Sequence, residues 1–207
     1  MFFSFDGVDG VGKSTQLDLF CRWLDQQGRD LVRCRDPGST ELGEAVRRIL
    51  LDGFSIPIHR RSEMLLYMAA RAQLVDQIIR PALAAGKTVV CDRFLLANVV
   101  YQGYAGGLNV EQLWNVGRIA TDGLSPDLTI LLDMDVRQAR QRVTREPDRM
   151  ESQGIEFLER VRQGFLAESQ CQNERIVVID AARDIDAVQA DVQAVAARLL
   201  APKGAEA

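Results

Sequence analysis

Residues 7–14 read Gly7-Val8-Asp9-Gly10-Val11-Gly12-Lys13-Ser14, with Thr15 next, which is the Gly-x-x-x-x-Gly-Lys-Ser/Thr spacing of a Walker A loop. Glycines at these positions let backbone N–H groups turn inward around the β-phosphate of a nucleoside triphosphate, and the N-terminus of a following helix adds partial positive charge. Lys13 is then set to reach the β- and γ-phosphates, and the Ser14 hydroxyl to ligate Mg²⁺. The flanks fit: the strand-like run Phe2-Phe3-Ser4-Phe5 precedes the loop and a helical pattern follows it. Such a loop serves GTPases, motor ATPases and small-molecule kinases alike. The chain holds no Asn-Lys-x-Asp segment for guanine, and 207 residues is short for a motor, which favours a kinase for a small metabolite.

A second anionic site is expected at Asp92-Arg93-Phe94. The preceding run Thr88–Cys91 reads as a strand, so Asp92 falls at a strand's carboxyl end, where ligands bind in parallel sheets. A carboxylate there can hold Mg²⁺ or orient an acceptor oxygen, and Arg93 can bridge donor and acceptor phosphates. Residues 137–149 carry Arg137, Arg140, Arg142, Arg145 and Arg149, with more Arg than acid, as expected of a lid over phosphates spanning about 137–153. The variable loop positions Val8, Asp9, Gly10 and Val11 include no Arg, so transition-state charge must be met from that lid.

These residues need a frame. The runs Phe2–Phe5, Leu31–Cys34, Thr88–Cys91, Leu128–Leu132 and Ile176–Ile179 are short, apolar and unalternating, as in strands buried on both faces. Between them, Leu17, Phe20, Cys21 and Leu24 recur at helical spacing, with Gly28 as a stop. Met64, Leu65, Met68, Ala72, Val75 and Ile79 mark a long helix bent by Pro81 and ended by Gly86. Asn109, with Gln112 at the reciprocal position, and Asp135 are positioned to cap helices. Ile185, Val188, Val192, Val195 and Leu199 make a last stripe. The alternation predicts an α/β P-loop NTPase fold, a five-stranded parallel sheet flanked by helices with a small Arg-rich lid. One domain over 1–202 and a frayed tail at 203–207 are expected.

Composition agrees. The chain is 47% hydrophobic and 26% charged with net charge −4, so no basic surface for nucleic acid is expected. No apolar run is long enough for a membrane span, no secretory signal is apparent, and a cytoplasmic protein is expected. Cys21, Cys34, Cys91 and Cys171 are dispersed, suggesting neither a zinc ribbon nor a redox pair. His59, the single histidine, is given no catalytic role.

The chain resembles the thymidylate kinases. The likeness runs through Phe5–Thr15, Arg35-Asp36-Pro37-Gly38-Ser39-Thr40, Tyr67–Gln73, Asp92-Arg93-Phe94, Tyr101-Gln102-Gly103, Pro126–Thr129 and Asp148-Arg149-Met150-Glu151, in family order over roughly residues 1–180. It implies transfer of phosphate from ATP to dTMP with Mg²⁺, supplying dTTP synthesis, in a homodimer of the bacterial-type branch with a lid arginine. Asp9 would contact the deoxyribose 3′-OH, Tyr67 would stack on thymine, and Arg71 would donate to thymine O4. Asn98 would lie near the N3 edge, and Tyr101 under C2′. Arg35 and Arg93 would hold acceptor phosphate, Arg149 would be the lid arginine, and Arg140 would assist at ATP. Lys13, Asp92, Arg93 and Arg149 make the expected catalytic set, with Ser14 and Asp92 on Mg²⁺. Phe94 replaces the usual Tyr of the Asp-Arg-Tyr signature, Ala97 a common Ser, and Gly106 an Arg often seen after Tyr-Gln-Gly. The residues alone leave two other readings: a different nucleotide or nucleoside kinase, or a nucleotide-switched binding protein.

Overall fold

The computed structural model describes residues 1–51, 57–144, 149, 151–172 and 175–201. Arg145, Asp148 and Met150 of the expected lid, and the expected tail at 203–207, lie outside the described residues. Five strands, β1 (Phe2–Asp6), β2 (Leu31–Arg35), β3 (Thr88–Asp92), β4 (Leu128–Asp133) and β5 (Ile176–Asp180), form one parallel sheet in the order β2-β3-β1-β4-β5. Each expected strand is present and one residue longer at its carboxyl end. The α/β architecture is the one predicted.

Both sheet faces are covered, which explains strands without polar alternation. On β1, Phe3 and Phe5 point into one core with Leu17, Phe20 and Leu24 of α1 (Lys13–Gln26). Phe2 points into the other, with Met68, Leu74, Val75 and Ile79. The remaining helices are α2 (Glu41–Leu51), α3 (Arg60–Leu74), α4 (Arg80–Ala84), α5 (Leu95–Asn98), α6 (Val110–Thr121), α7 (Val136–Gln141), α8 (Ile155–Cys171) and α9 (Ile185–Leu200). The sequence reading did not anticipate α2, α5 or α8.

The expected long helix is broken as Pro81 requires, but by more than a bend. A π-turn at Val75–Ile79 separates α3 from α4, and Pro81 lies in the first turn of α4, where its missing N–H costs little. Its apolar face is corrected at Leu65, which is 54% exposed. On α9 the stripe is buried at Val188 and Val192, whereas Ile185 and Leu199 are exposed. The caps are as expected: Asn109 accepts from Gln112 N at 2.9 Å, and Asp135 accepts from Arg137 N at 2.9 Å. Cys34 and Cys91 are buried and register-paired across β2 and β3, Cys21 is half-buried and Cys171 is exposed.

Two glycines set the phosphate loop against the sheet. A Cβ on Gly7 would sit 2.4 Å from Leu132 O, and one on Gly10 would sit 2.0 Å from Ala139 O of α7. Gly10 also has φ +90°. Gly86 has φ +74° but nothing within 4 Å of an added Cβ, so it isolates the backbone cost. Gly86→Ala should therefore lose about 1 kcal/mol. Gly10→Ala should lose clearly more, because the clash is with backbone. Urea denaturation of both variants checks this, and equal losses would show that the loop accommodates a Cβ freely.

Candidate active site

Strands β1, β2 and β3 end side by side, and the loops leaving their carboxyl ends open onto one cleft of about 1110 Å³. Of the expected phosphate-loop residues, Asp9 through Thr15 border it, while Gly7 and the buried Val8 lie beneath. Arg35, Tyr67, Arg71, Asp92, Arg93, Asn98 and Tyr101 border the same space, so the structure brings together residues dispersed between positions 9 and 101.

The phosphate end is a compact charge cluster. Lys13 Nζ donates to Gly7 O at 3.0 Å, to Val8 O at 2.8 Å and to Asp9 Oδ1 at 3.2 Å. Arg93 donates to Gly7 O at 3.0 Å and to the same Asp9 Oδ1 at 2.8 Å. Burial disfavours the Asp9 carboxylate, but Arg93 and Lys13 more than offset this and hold its pKa well below the usual range. Burial, reinforced by nearby Arg93, lowers the pKa of Lys13. Arg93 itself has φ 65°, an uncommon left-handed conformation for a bulky residue, with its own N–H on Phe5 O at 2.9 Å. The guanidinium lies 5.3 Å from the Tyr101 ring centroid, and that ring packs against Phe157 and Phe165 of α8.

Two carboxylates complete this end. Asp92 Oδ1 is buried without a hydrogen-bond partner among the described residues, as are both oxygens of Asp6. Asp92 borders the cleft with the exposed Ser14, and an oxygen-donor pair of this kind suits Mg²⁺, which binds through few protein oxygens beside phosphates and water. Asp6 is fully buried at the end of β1, and burial pushes its carboxyl up to about 7 from 3.8. Arg93 and Lys13 pull it back down, and Asp92 and Asp36 push it further up.

At the other end the chemistry is carried by side chains. Arg71, 1% exposed, donates from Nε to Asp36 Oδ2 at 2.6 Å, and from Nη1 to Asn98 Oδ1 and Met68 Sδ, each at 3.1 Å. Those bonds use Nε–H and both Nη1 hydrogens, leaving the Nη2 pair of the five guanidinium donors. Arg35 grips Glu44 through Nη2 at 2.8 and 3.0 Å. Arg47 of α2 also borders the cleft, half-buried, with Nη1 on Pro37 O at 3.1 Å. Arg47 was not anticipated; its only sequence signal is an Arg beside the buried positions Val46 and Leu50, in a helix that was itself not read.

The lid arginines divide. Arg142 borders the cleft and donates to Ala181 O at 3.3 Å, joining the base of the lid to the loop after β5, where Ala181, Arg183 and Asp184 form the cleft's far wall. Arg140 does not border the cleft. Nor does Arg149, which donates from Nε to Leu50 O at 2.8 Å and from Nη2 to the buried Glu63. Glu63, Gln102 and Asp36 are polar residues whose partners become visible only in three dimensions.

The family profile described as Thymidylate kinase matches residues 5–192. The thymidylate kinase of Rhodopirellula baltica is 46% identical over 92% of this chain and 77% of its own length. That of Symbiobacterium thermophilum is 45% identical over 93% of this chain and 91% of its own. Among solved structures, the thymidylate kinase of Ehrlichia chaffeensis superposes with a TM-score of 0.77 at 31% identity, covering 95% of this chain and 98% of that one.

The buried Asp6 carboxyl makes stability depend on pH. Its folded pKa of about 7 lies above its ordinary 3.8, so the folded state holds a proton that the unfolded chain has released between those values. Stability from this group is therefore complete below about pH 4 and is lost as pH rises toward 7, at up to about 1.4 kcal/mol per pH unit. Asp6→Asn abolishes that slope. Urea melts of both proteins from pH 4 to 7 should show the variant gaining on the wild type as pH rises. A difference independent of pH would mean that Asp6 is ionised in the fold.

Proposed function

The chain belongs to the thymidylate kinase family, and on that premise we propose that it transfers the γ-phosphoryl group of ATP to dTMP, giving ADP and dTDP. The observation that carries this reading is Arg71: buried, pinned by Asp36 and Asn98, and bordering the same cleft as the phosphate loop. A donor-only side chain fixed there suits a base with a carbonyl at position 4. Tyr67 offers an aromatic face for that base and Asp9 an acceptor for the sugar 3′-OH. Tyr101, 7% exposed, is assigned to the sugar's C2′ side.

The acceptor is already an anionic phosphate oxygen, so the residues need to align and neutralise rather than move protons. Lys13 is assigned to the β- and γ-phosphates, with the backbone N–H groups of residues 7–15. Arg93 stands between the two ends of the cleft and, with Arg35, is assigned to acceptor phosphate. Ser14 and Asp92 are the residues that would hold Mg²⁺, which neutralises the triphosphate when bound. Of the lid arginines, Arg142 already borders the cleft, whereas Arg149 must first leave Glu63, and Arg140 must turn toward the phosphates. Adenine is assigned to the far wall, between the base of the lid and Ala181–Arg183. We assign the enzyme to the cytoplasm and to dTTP supply, as a homodimer. Exposed Leu65 on α3 and Ile119 on the adjoining α6 offer an apolar face for a second copy. Among the described residues no helix is long and apolar enough to cross a membrane.

ADP release should depend on dTMP, and Lys13→Ala should lower kcat on the order of 10²–10³-fold while the chain stays folded. dCMP, with an amino group at position 4, should be rejected by roughly 10⁴–10⁵-fold in kcat/KM. dUMP, lacking only the methyl, should fall short by about 1–3 kcal/mol. Arg71→Ala should damage dTMP turnover and shrink the dTMP/dCMP ratio, and Arg71→Lys should restore little because the fork is lost. ADP release indifferent to dTMP, or equal use of dCMP, would remove the thymidylate reading. Arg142→Ala should lower kcat more than Arg149→Ala, and the reverse order would make Arg149 the lid residue at the phosphates.

A further inference from the structure

The buried network around Arg71 extends well beyond the base pocket. Asn98 Oδ1 accepts from Arg71 Nη1 at 3.1 Å, and Asn98 Nδ2 donates to Gln102 Oε1 at 2.7 Å. Gln102 Nε2 donates to Glu63 Oε1 at 2.8 Å, and the other Glu63 oxygen accepts from Arg149. Asn98, Gln102 and Glu63 are 3%, 2% and 4% exposed, so water does not compete at these atoms.

The chain of bonds has a direction, and Glu63 sets it. A carboxylate only accepts. It must therefore meet the amide nitrogen of Gln102, which turns the Gln102 oxygen toward Asn98. That oxygen requires the Asn98 nitrogen, which leaves the Asn98 oxygen on the side of Arg71 and the cleft. Arg71, donor-only, demands the same arrangement from the other end. A buried donor facing a donor costs about 1–3 kcal/mol, so a flip of either amide is opposed at both of its contacts.

We infer that Glu63 and Gln102 are specificity-determining positioning residues: they hold the Asn98 side chain with its oxygen toward the base, so that the acceptor site accepts a ring N–H and opposes a bare ring nitrogen. This rests on the dTMP reading above. Thymine carries N3–H, a donor that suits the Asn98 oxygen, beside O4, an acceptor that suits Arg71. Cytosine inverts both atoms. Discrimination then has two parts, one read by Arg71 and one by Asn98, and the second is backed, through Gln102, by a carboxylate that need not touch the nucleotide.

Glu63→Gln tests the direction of the relay. A glutamine there can still accept from Arg149 through its oxygen while its nitrogen faces Gln102. Gln102 then turns over and its N–H₂ opposes the Asn98 N–H₂, so Asn98 is caught between opposed demands and only Arg71 still favours its oxygen toward the base. The dTMP/dCMP ratio of kcat/KM should narrow by roughly tenfold beyond any common loss. Gln102→Met cuts the relay while leaving the Glu63–Arg149 pair in place, leaves Arg71 alone to orient Asn98, and should narrow the ratio less. In the double variant Glu63→Gln with Gln102→Met, the ratio should match that of Gln102→Met alone, because the relay no longer transmits the change. Thermal melts report folding, and Gln102→Met decides the matter if Glu63→Gln does not fold. If the variants lower kcat/KM for dTMP and dCMP by the same factor, the two residues serve packing and the inference falls alone. A wild type that does not prefer dTMP to dCMP overturns the acceptor reading and the relay together.

Discussion

A single carboxylate oxygen, Asp9 Oδ1, accepts from both Lys13 and Arg93. Two cations brought this close at the mouth of a sheet would repel strongly where water is scarce, and an anion between them is what permits both. Lys13 comes from the first turn of α1 and Arg93 from the end of β3, so the contact ties the phosphate loop to the neighbouring strand. It also presets the site for a polyanion, because phosphate oxygens can take over the role that Asp9 fills for the two side chains. The left-handed backbone at Arg93 belongs to the same arrangement: its N–H is held by Phe5 O while its guanidinium turns back over the loop.

The two ends of the cleft are built by different means. At the phosphate end most of the geometry is backbone, fixed by glycines that bring the loop within reach of Leu132 and Ala139. A phosphate offers oxygens in every direction, and a ring of donors suffices for it. At the end proposed for the acceptor, the polar atoms belong to side chains, each held by another side chain: Arg71 by Asp36, Asn98 by Gln102, Gln102 by Glu63. A base edge distinguishes donors from acceptors atom by atom, so its reader must have both position and polarity fixed.

That difference explains what was legible in the sequence. The phosphate loop is local, and its spacing alone identified Gly7 through Ser14. The strands were equally plain, because burial on both faces leaves uninterrupted apolar runs. Asp92 and Arg93 could be placed because they follow a strand directly. Arg35, Tyr67, Arg71, Asn98 and Tyr101 came from the resemblance, since nothing in their local spacing links them. Gln102 stood in the Tyr101-Gln102-Gly103 piece of the resemblance without a role, Glu63 drew no reading, and their pairing depends on the approach of α3 to the segment after α5. Helices α2, α5 and α8 were missed, and Arg47 with the first of them. Arg149 could be recognised as a lid residue by its neighbours in sequence, but its bond to Glu63 spans elements that sequence order keeps far apart.

The segment Val99–Tyr104 is wound as a π-turn, and the Ala105 N–H reaches back five residues to Val100 O. A π-turn holds one residue more than an α-helical path through the same space. Removing one residue there would let the chain run as an α-helix through the same space with its flanks in place, but residues within the turn would shift by up to about 100° about the axis. Tyr101 and Gln102 would leave the cleft and the Glu63 side chain together, although no atom of the phosphate loop had changed. The length of this turn is therefore as much a part of the acceptor site as the identity of its residues, and homologues that drift freely in side chain here are expected to keep the residue count between β3 and α6.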